Sequence, residues 1–173
     1  MNETDKKREF EKVFAENKDR IFRLCYSVIY DKNEADDLFQ EVMMNVWKNL
    51  DSFRGDSEIS TWIYRIAVNN AILFNKRKKR REEFSEPVDQ ERLNQFRDDF
   101  RENKLEHQEI LKILYLCIGK LKPQDKIIIS LLLEGMPHNE ISEIVGITVN
   151  YVGVKFKRIK EVLGICIEEK DGK

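Results

Sequence analysis

Two stretches of this sequence carry side chains spaced for chemistry, and in both the chemistry is recognition. Between Asp31 and Arg81 an acidic run (Asp31, Glu34, Asp36, Asp37, Glu41) gives way to sequence rich in Trp, Phe and Arg, which ends in the basic run Lys76 to Arg81. Asp37, Gln40, Glu41 and Met44 recur at three- and four-residue spacing and so share one face of a helix. Such a face is either merely solvated or a docking surface for a basic partner, and the spacing leaves both readings open. Trp62, Tyr64, Arg65, Asn69 and Asn70 lead into the basic run, with the Phe53-Arg54 loop just before them. Aromatic faces that stack on bases, beside cations that follow phosphates, are what single-stranded nucleic acid requires. Trp62 also fits a core stripe, whereas Tyr64 and the loop are freer to meet a ligand. The second stretch, Val149 to Lys160, contains Asn150, Tyr151, Lys155, Lys157 and Arg158 and no acid.

Catalytic chemistry has little to work with. There is no Gly-rich phosphate loop, and His107 and His138 stand apart from any Cys or paired carboxylate that would suggest a metal or nucleophile site, so no metal, cofactor or catalytic residue is expected. Asp36, Asp37 and Glu41 are better placed outward on one helix than gathered around Mg²⁺. Cys25, Cys117 and Cys166 are odd in number and far apart, with no CxxC pair, and are expected to be small buried hydrophobes or inert thiols rather than a disulfide framework. No apolar run approaches the roughly 18 residues of a membrane span, and the first residues lack a signal peptide's apolar core, so the expected location is the cytoplasm. The net charge is only -1 over 173 residues, so the charges that matter are segregated locally rather than in excess.

Helical elements must position these residues. Phe10, Val13, Phe14, Asn17, Ile21, Leu24, Cys25 and Val28 predict an amphipathic helix from Lys7 to Tyr30. After a polar break with Asn33 as N-cap, Ala35, Leu38, Phe39, Val42, Met43, Val46 and Leu50 predict a second, and the short connection predicts antiparallel packing. Asp51 to Glu58 reads as an exposed loop. Ile59, Trp62, Ile63, Ile66, Ala67, Asn70 and Leu73 trace the inward face of a third helix. Beyond Arg81 acids outnumber bases, Pro87 interrupts, and large aliphatics are nearly absent, which reads as a linker. About 26 residues reach at most roughly 86 Å, enough to set two domains about two DNA turns apart.

The second domain begins near His107, with helices from Ile110 or Leu111 through Ile118 and from Pro123 through Leu133, the latter apolar almost all round. Pro137 to Val145 predicts a short helix with Ile141, Ile144 and Val145 inward. Gly146 then permits a left-handed turn, Ile147 fills the angle and Thr148 caps the next helix. Val152, Phe156, Ile159 and Leu163 give that helix its buried face. The pattern is a helix-turn-helix, whose second helix is shaped for a DNA major groove, against the plainer reading of a helical hairpin. The fold class is therefore all-α, with two small helical domains joined by an acidic linker.

The chain resembles the extracytoplasmic function (ECF) sigma factors, bacterial RNA polymerase specificity subunits. The residues that carry the likeness are Asp36-Asp-Leu-Phe-Gln-Glu41 with Val46-Trp47, Phe53-Arg-Gly-Asp-Ser-Glu58, Thr61-Trp-Ile-Tyr-Arg-Ile-Ala67 with Asn69, Leu121-Lys-Pro, Glu140 to Ile147, and Val152 through Arg158. The resemblance implies domains at 7–81 (sigma region 2), 82–106 (linker) and 107–167 (sigma region 4). It places Asp37, Gln40, Glu41 and Met44 on a face that binds core polymerase. It places Phe53, Arg54, Ser57, Glu58, Trp62, Arg65, Asn69, Asn70, Lys76, Arg77 and Arg80 at the melted minus-ten element, with the loop Phe53 to Glu58 capturing a flipped base. Thr148, Asn150, Tyr151, Lys155, Lys157 and Arg158 fall at the minus-thirty-five element, although the family often has Lys where this chain has Gly153 and Arg where it has Lys155. The implied partners are the largest and second-largest subunits of core RNA polymerase, promoter DNA, and an anti-sigma factor, with no membrane insertion and no catalysis. The alternative is a polymerase-independent helix-turn-helix regulator.

Overall fold

In a computed structural model the described residues are 2–83 and 105–171, and they form α1 (Glu3–Ile29), α2 (Lys32–Asn49), α3 (Ile59–Glu83), α4 (Leu105–Gly119), α5 (Pro123–Leu133), α6 (His138–Val145) and α7 (Val149–Asp171). A single turn of 3₁₀ helix, Leu50–Ser52, follows α2. The expected all-α architecture of two helical domains is present. The linker expected at 82–106 falls largely outside the described residues.

Helix α1 begins where the Asn2 side chain accepts the Asp5 N–H at 2.8 Å, with Glu3 and Asp5 on the favourable end of the helix dipole. It stops at Tyr30, whose backbone is left-handed at φ 56° and whose N–H closes on the Tyr26 carbonyl. Asp31, rather than Asn33, caps α2 by accepting the Glu34 N–H at 3.0 Å. The two helices pack antiparallel. The Phe10 ring meets Trp47 edge-on with centroids 5.3 Å apart, and Phe22 meets Phe39 at 5.8 Å.

The inward face of α3 differs from its expected register. Ile63, Tyr64, Ala67, Val68, Ala71 and Phe74 are buried, whereas Leu73 is exposed. This helix carries apolar residues on two sides, so its own periodicity underdetermines which side is covered. Tyr64, expected to be free for a ligand, is 1% exposed. Burial pushes its hydroxyl up to about 12, and it lies close enough to Glu134, Arg20 and Arg23 to feel their charges. It is covered because the second domain packs over this part of the first.

In that second domain Ile127, Ile128, Ile129 and Leu131 of α5 are buried at the centre of α4, α6 and α7. Ser142, the small residue of α6, is also buried, and Gly146 adopts φ 75° while the Ile147 N–H reaches back to the Ser142 carbonyl at 3.1 Å. The Thr148 hydroxyl accepts the Tyr151 N–H at 3.2 Å and starts α7. The helix-turn-helix thus has the turn that its residues predict.

Both domains share one continuous hydrophobic cluster, reaching from Val13 to Leu163. At the seam the Tyr26 ring meets Tyr115 edge-on at 5.7 Å, and the Tyr30 ring lies so near Gly119 that a Cβ there would sit 2.9 Å from it. Glycine is required at position 119 for this close approach.

The expectation of three unpaired cysteines needs correction. Cys117 of α4 and Cys166 of α7 form a disulfide across 49 residues, with Cα atoms 5.9 Å apart, and only Cys25 is free. The partners are distant in sequence, and packing of α4 beside α7 brings them together. Cys25 is buried in an apolar setting that pushes its thiol up to about 12. The native oxidised protein is therefore expected to expose no titratable thiol. Reduction should release two and lower unfolding stability by up to about 4 kcal/mol on the loop-entropy scale. Thiol titration and denaturant melts read both, and two reactive thiols without reductant would contradict the pairing.

Candidate nucleic-acid interface

The expected outward face of α2 is outward. Asp37 and Gln40 are exposed, Met44 is 57% exposed, and Ala35, Leu38, Val42 and Val46 of the same helix are buried on the other side. Glu41 is different, because Arg77 of α3 donates to both its oxygens at 2.7 and 2.9 Å. Lys78 similarly pairs with Glu34. Part of the basic run is thus folded onto the acidic helix, while Lys76, Arg77 and Arg80 keep solvent-exposed side chains. Asn70 is corrected from a strand contact to a buried structural amide: it accepts from Asn45 of α2 at 2.7 Å and donates to the Ile66 carbonyl at 2.8 Å. With donor and acceptor both engaged inside the domain, it registers α2 against α3.

The loop carries Arg54 and Glu58 exposed, Phe53 and Ser57 half-buried, and Gly55 at φ 76°. The Phe53 ring packs on Trp62 with centroids 5.4 Å apart. Trp62 remains half-buried, so the two rings make an aromatic wall between loop and helix, and Asn69 lies exposed farther along α3. Such a wall offers a stacking surface to a planar group.

Arg65 and its neighbour Thr61 face the second domain. The Arg65 guanidinium donates to Glu143 at 2.8 Å, and the Thr61 hydroxyl donates to Glu140 at 2.9 Å, both acids belonging to α6. Beside them Glu134, the residue that ends α5, is held from α1. Arg23 donates to its two carboxylate oxygens at 2.6 and 2.8 Å, and Arg20 donates to one of them at 3.1 Å and to the Glu134 carbonyl at 2.6 Å. The Glu134 side chain is only 9% exposed. Burial pushes its carboxyl up, but hydrogen bonds from Arg23 and Arg20 outweigh this and hold it below the usual carboxylate value. Its folded value is depressed, so the stabilisation is present at neutral pH. It is lost as the pH falls through that depressed value, on the acid side of about 4.3.

Magnitudes separate these contacts. The Arg65–Glu143 pair is exposed and contributes about 0.2 to 1 kcal/mol. Removing one partner of the Glu134 clamp costs about 3 kcal/mol, the lower end for a buried pair, because the two arginines keep a third or more of their surface. Of the two, the Glu134 clamp is the stronger contact between the domains, and the α6 acids lie beside it on α3. Arg20, Arg23, Glu134, Glu140 and Glu143 escaped the sequence reading. Their signal was present as i, i+3 charge pairs on α1 and α6, but one sequence does not say which pair faces which.

On α7, Thr148, Asn150, Tyr151, Lys157 and Arg158 are exposed as expected. A shallow groove beside them is lined by His138, Val149, Asn150, Gly153, Val154, Lys157, Arg158 and Glu161. A Cβ on Gly153 would meet nothing within 4 Å, so this glycine answers no packing need. Lys155 departs from the expected set: it pairs with Asp125 of α5 at 2.8 Å, both side chains 16% exposed, and lies over the Tyr151 ring. Among the described residues no group of three His, Cys, Asp or Glu is placed to hold a metal ion, and no helix is long and apolar enough to cross a membrane.

Residues 13–82 match Sigma-70 region 2, and residues 111–163 match Sigma-70, region 4. The chain is 31% identical to an ECF RNA polymerase sigma-E factor of Haemophilus influenzae over 139 residues, covering 76% of this chain and 74% of that protein. It is 42% identical to ECF RNA polymerase sigma factor SigW of Bacillus subtilis over 62 residues, 36% of this chain and 33% of the relative. Its fold is similar to that of the sigma factor RpoE in complex with the anti-sigma factor NepR from Bartonella quintana, with TM-score 0.73 and 18% identity over 93% of this chain and 98% of the other. It is also similar to CnrH in complex with the cytosolic domain of CnrY, with TM-score 0.65 and 21% identity over 94% and 90%. These likenesses do not favour the polymerase-independent regulator. With both region matches in order along one chain and a sigma-E relative aligned over most of its length, the chain belongs to the ECF RNA polymerase sigma factors.

Proposed function

We propose that this sigma factor docks on core RNA polymerase through the outward face of α2, holds the melted minus-ten element on α3 and the loop before it, and reads the minus-thirty-five element with the start of α7. The domains are 7–81 for core binding and melting, 82–106 for the linker and 107–167 for upstream recognition. Segregation of charge within the first domain carries the reading. An acidic row on α2 and a basic, ring-bearing surface on α3 and its loop sit on one rigid pair of helices, tied by the Asn45–Asn70 bond. A module of that kind holds protein on one side and nucleic acid on the other.

Extruding a base costs a few kcal/mol, and a pocket with stacking recovers it. Phe53 and Trp62 supply the rings, with Arg54, Ser57 and Glu58 at the loop to contact base edges. Arg65, Asn69, Lys76, Arg77 and Arg80 follow the strand. Thr148, Asn150 and Tyr151 meet the upstream groove, with Lys157 and Arg158 on phosphates. Lys155 in this reading orients α7 through Asp125 and contacts DNA less directly than its position suggests. The protein has no catalysis of its own, works in the cytoplasm without membrane insertion, and is held in reserve by an anti-sigma factor. The last point rests on the two structural neighbours, each in complex with another protein, one of them an anti-sigma factor.

Replacing Asp37 with Lys is expected to weaken association with core polymerase by about tenfold or more, as like charges meeting across an interface cost on the order of 1 kcal/mol or above. Co-elution with core enzyme measures it, and unchanged co-elution would contradict the assigned face. Lys157→Ala is expected to weaken duplex binding by the holoenzyme at all sequences and to lower the salt slope by about 1, whereas Asn150→Ala should relax preference at the upstream element. A salt slope unchanged by Lys157→Ala would remove that residue from the phosphate contacts.

A further inference from the structure

The start of α7 presents two columns of side chains to the groove beside it. Val149, Gly153 and Lys157 follow one another at i, i+4 spacing, and Asn150, Val154 and Arg158 run alongside them. The cations therefore lie farther along the helix, and its beginning is apolar on this side except for the Asn150 amide. Val149 is 45% exposed and Val154 44%, whereas Val152, Ile159 and Leu163 of the same helix are buried. A Cβ on Gly153 would meet nothing within 4 Å, so the space over this glycine is open and the two valines flank it as a notch. We propose that Val149, Gly153 and Val154 read a thymine of the upstream promoter element by taking its 5-methyl group into this notch.

Three features favour a base edge as the occupant. The valines are continuous with Lys157 and Arg158 on a face that holds no acid from Val149 to Lys160, which suits a polyanion better than a protein surface. A recognition helix meets base edges with its N-terminal residues, so the order along α7, apolar notch first and cations after, is the order in which a duplex would be met. In the major groove thymine alone carries a methyl group, whereas cytosine offers an amine donor that the valines would leave without a partner. The missing side chain at Gly153 lets the backbone come close to that edge, and it does so at the expense of helix stability that no packing need explains. Lys155, on another side of the helix, is engaged by Asp125 of α5 and takes no part in the notch.

The inference rests on the assignment of α7 to the upstream element proposed above, and the test separates the two. Holoenzyme assembled from core polymerase and the full chain selects promoters from a duplex library randomised upstream. Each thymine of the selected element is then replaced in turn by uracil, which removes the methyl group and nothing else. One replacement is expected to weaken binding about fourfold, the partition of a single buried carbon. The V149A/V154A chain should bind the thymine and uracil duplexes equally. Both positions are exposed and alanine favours a helix, so helical circular dichroism should persist. G153L fills the notch, and it should bind the thymine duplex less tightly and be equally indifferent to the methyl group; should either variant lose its helical signal, the other carries the comparison. A wild-type holoenzyme that tolerates every uracil overturns the proposal, as does a uracil penalty that persists in the variants. Failure of V149A/V154A to assemble with core polymerase would give the valines to a protein partner and overturns it too. A selection that enriches no upstream sequence removes the reading of α7 itself, whereas an enriched element indifferent to uracil removes only the notch.

Discussion

Glu134 sits at the end of α5 with its carboxylate between Arg20 and Arg23 of α1, and the relation between the two domains depends on it. A nearly buried acid needs both arginines to remain charged. Fixing it there fixes the direction in which α6 leaves the following turn. Tyr64 is buried beneath the same cluster, and α6 is laid along α3. This contact between distant segments and the hydrophobic cluster shared by the two domains together set which faces of the first domain meet water and which meet protein.

A second theme is that many of the charges suited to a partner already have one. Arg77 holds Glu41, Lys78 holds Glu34, Arg65 holds Glu143 and Lys155 holds Asp125. Two of these pairs, Arg77–Glu41 and Arg65–Glu143, are exposed, contribute little each, and yield to a stronger ligand. They lower the long-range attraction of the basic surfaces without removing their capacity to bind. Asp37, Gln40, Met44, Asn150 and Arg158 have no such contact among the described residues and stand ready on the surface.

The sequence made α1, α2 and the helix-turn-helix legible because each has one apolar stripe and a cap or glycine at its boundary. Gly146 and Thr148 act locally, where the sequence places them, whereas α1 and α2 are capped by Asn2 and Asp31 instead of starting at Lys7 and being capped by Asn33. Helix α3 was harder, since Leu73 and Phe74 are both apolar neighbours and only the packing of other helices selects Phe74. Asn70 looked like a polar contact residue because nothing in a linear reading supplies Asn45 as its partner. The Cys117–Cys166 pair and the Glu134 clamp have the same origin. They join segments 49 and more than 100 residues apart, and neither spacing nor composition encodes such a meeting.

The α2–α3 pair, tied by the Asn45–Asn70 bond, carries an acidic row on one helix and a basic, ring-bearing surface on the other, and the proposed function depends on those two sides meeting different partners. Site-specific photocrosslinking tests it most directly. With a photoreactive side chain at Asp37 or at Trp62 in holoenzyme on promoter DNA, position 37 should label polymerase protein and position 62 the DNA strand. Labelling of DNA from position 37, or of protein alone from position 62, would contradict the account.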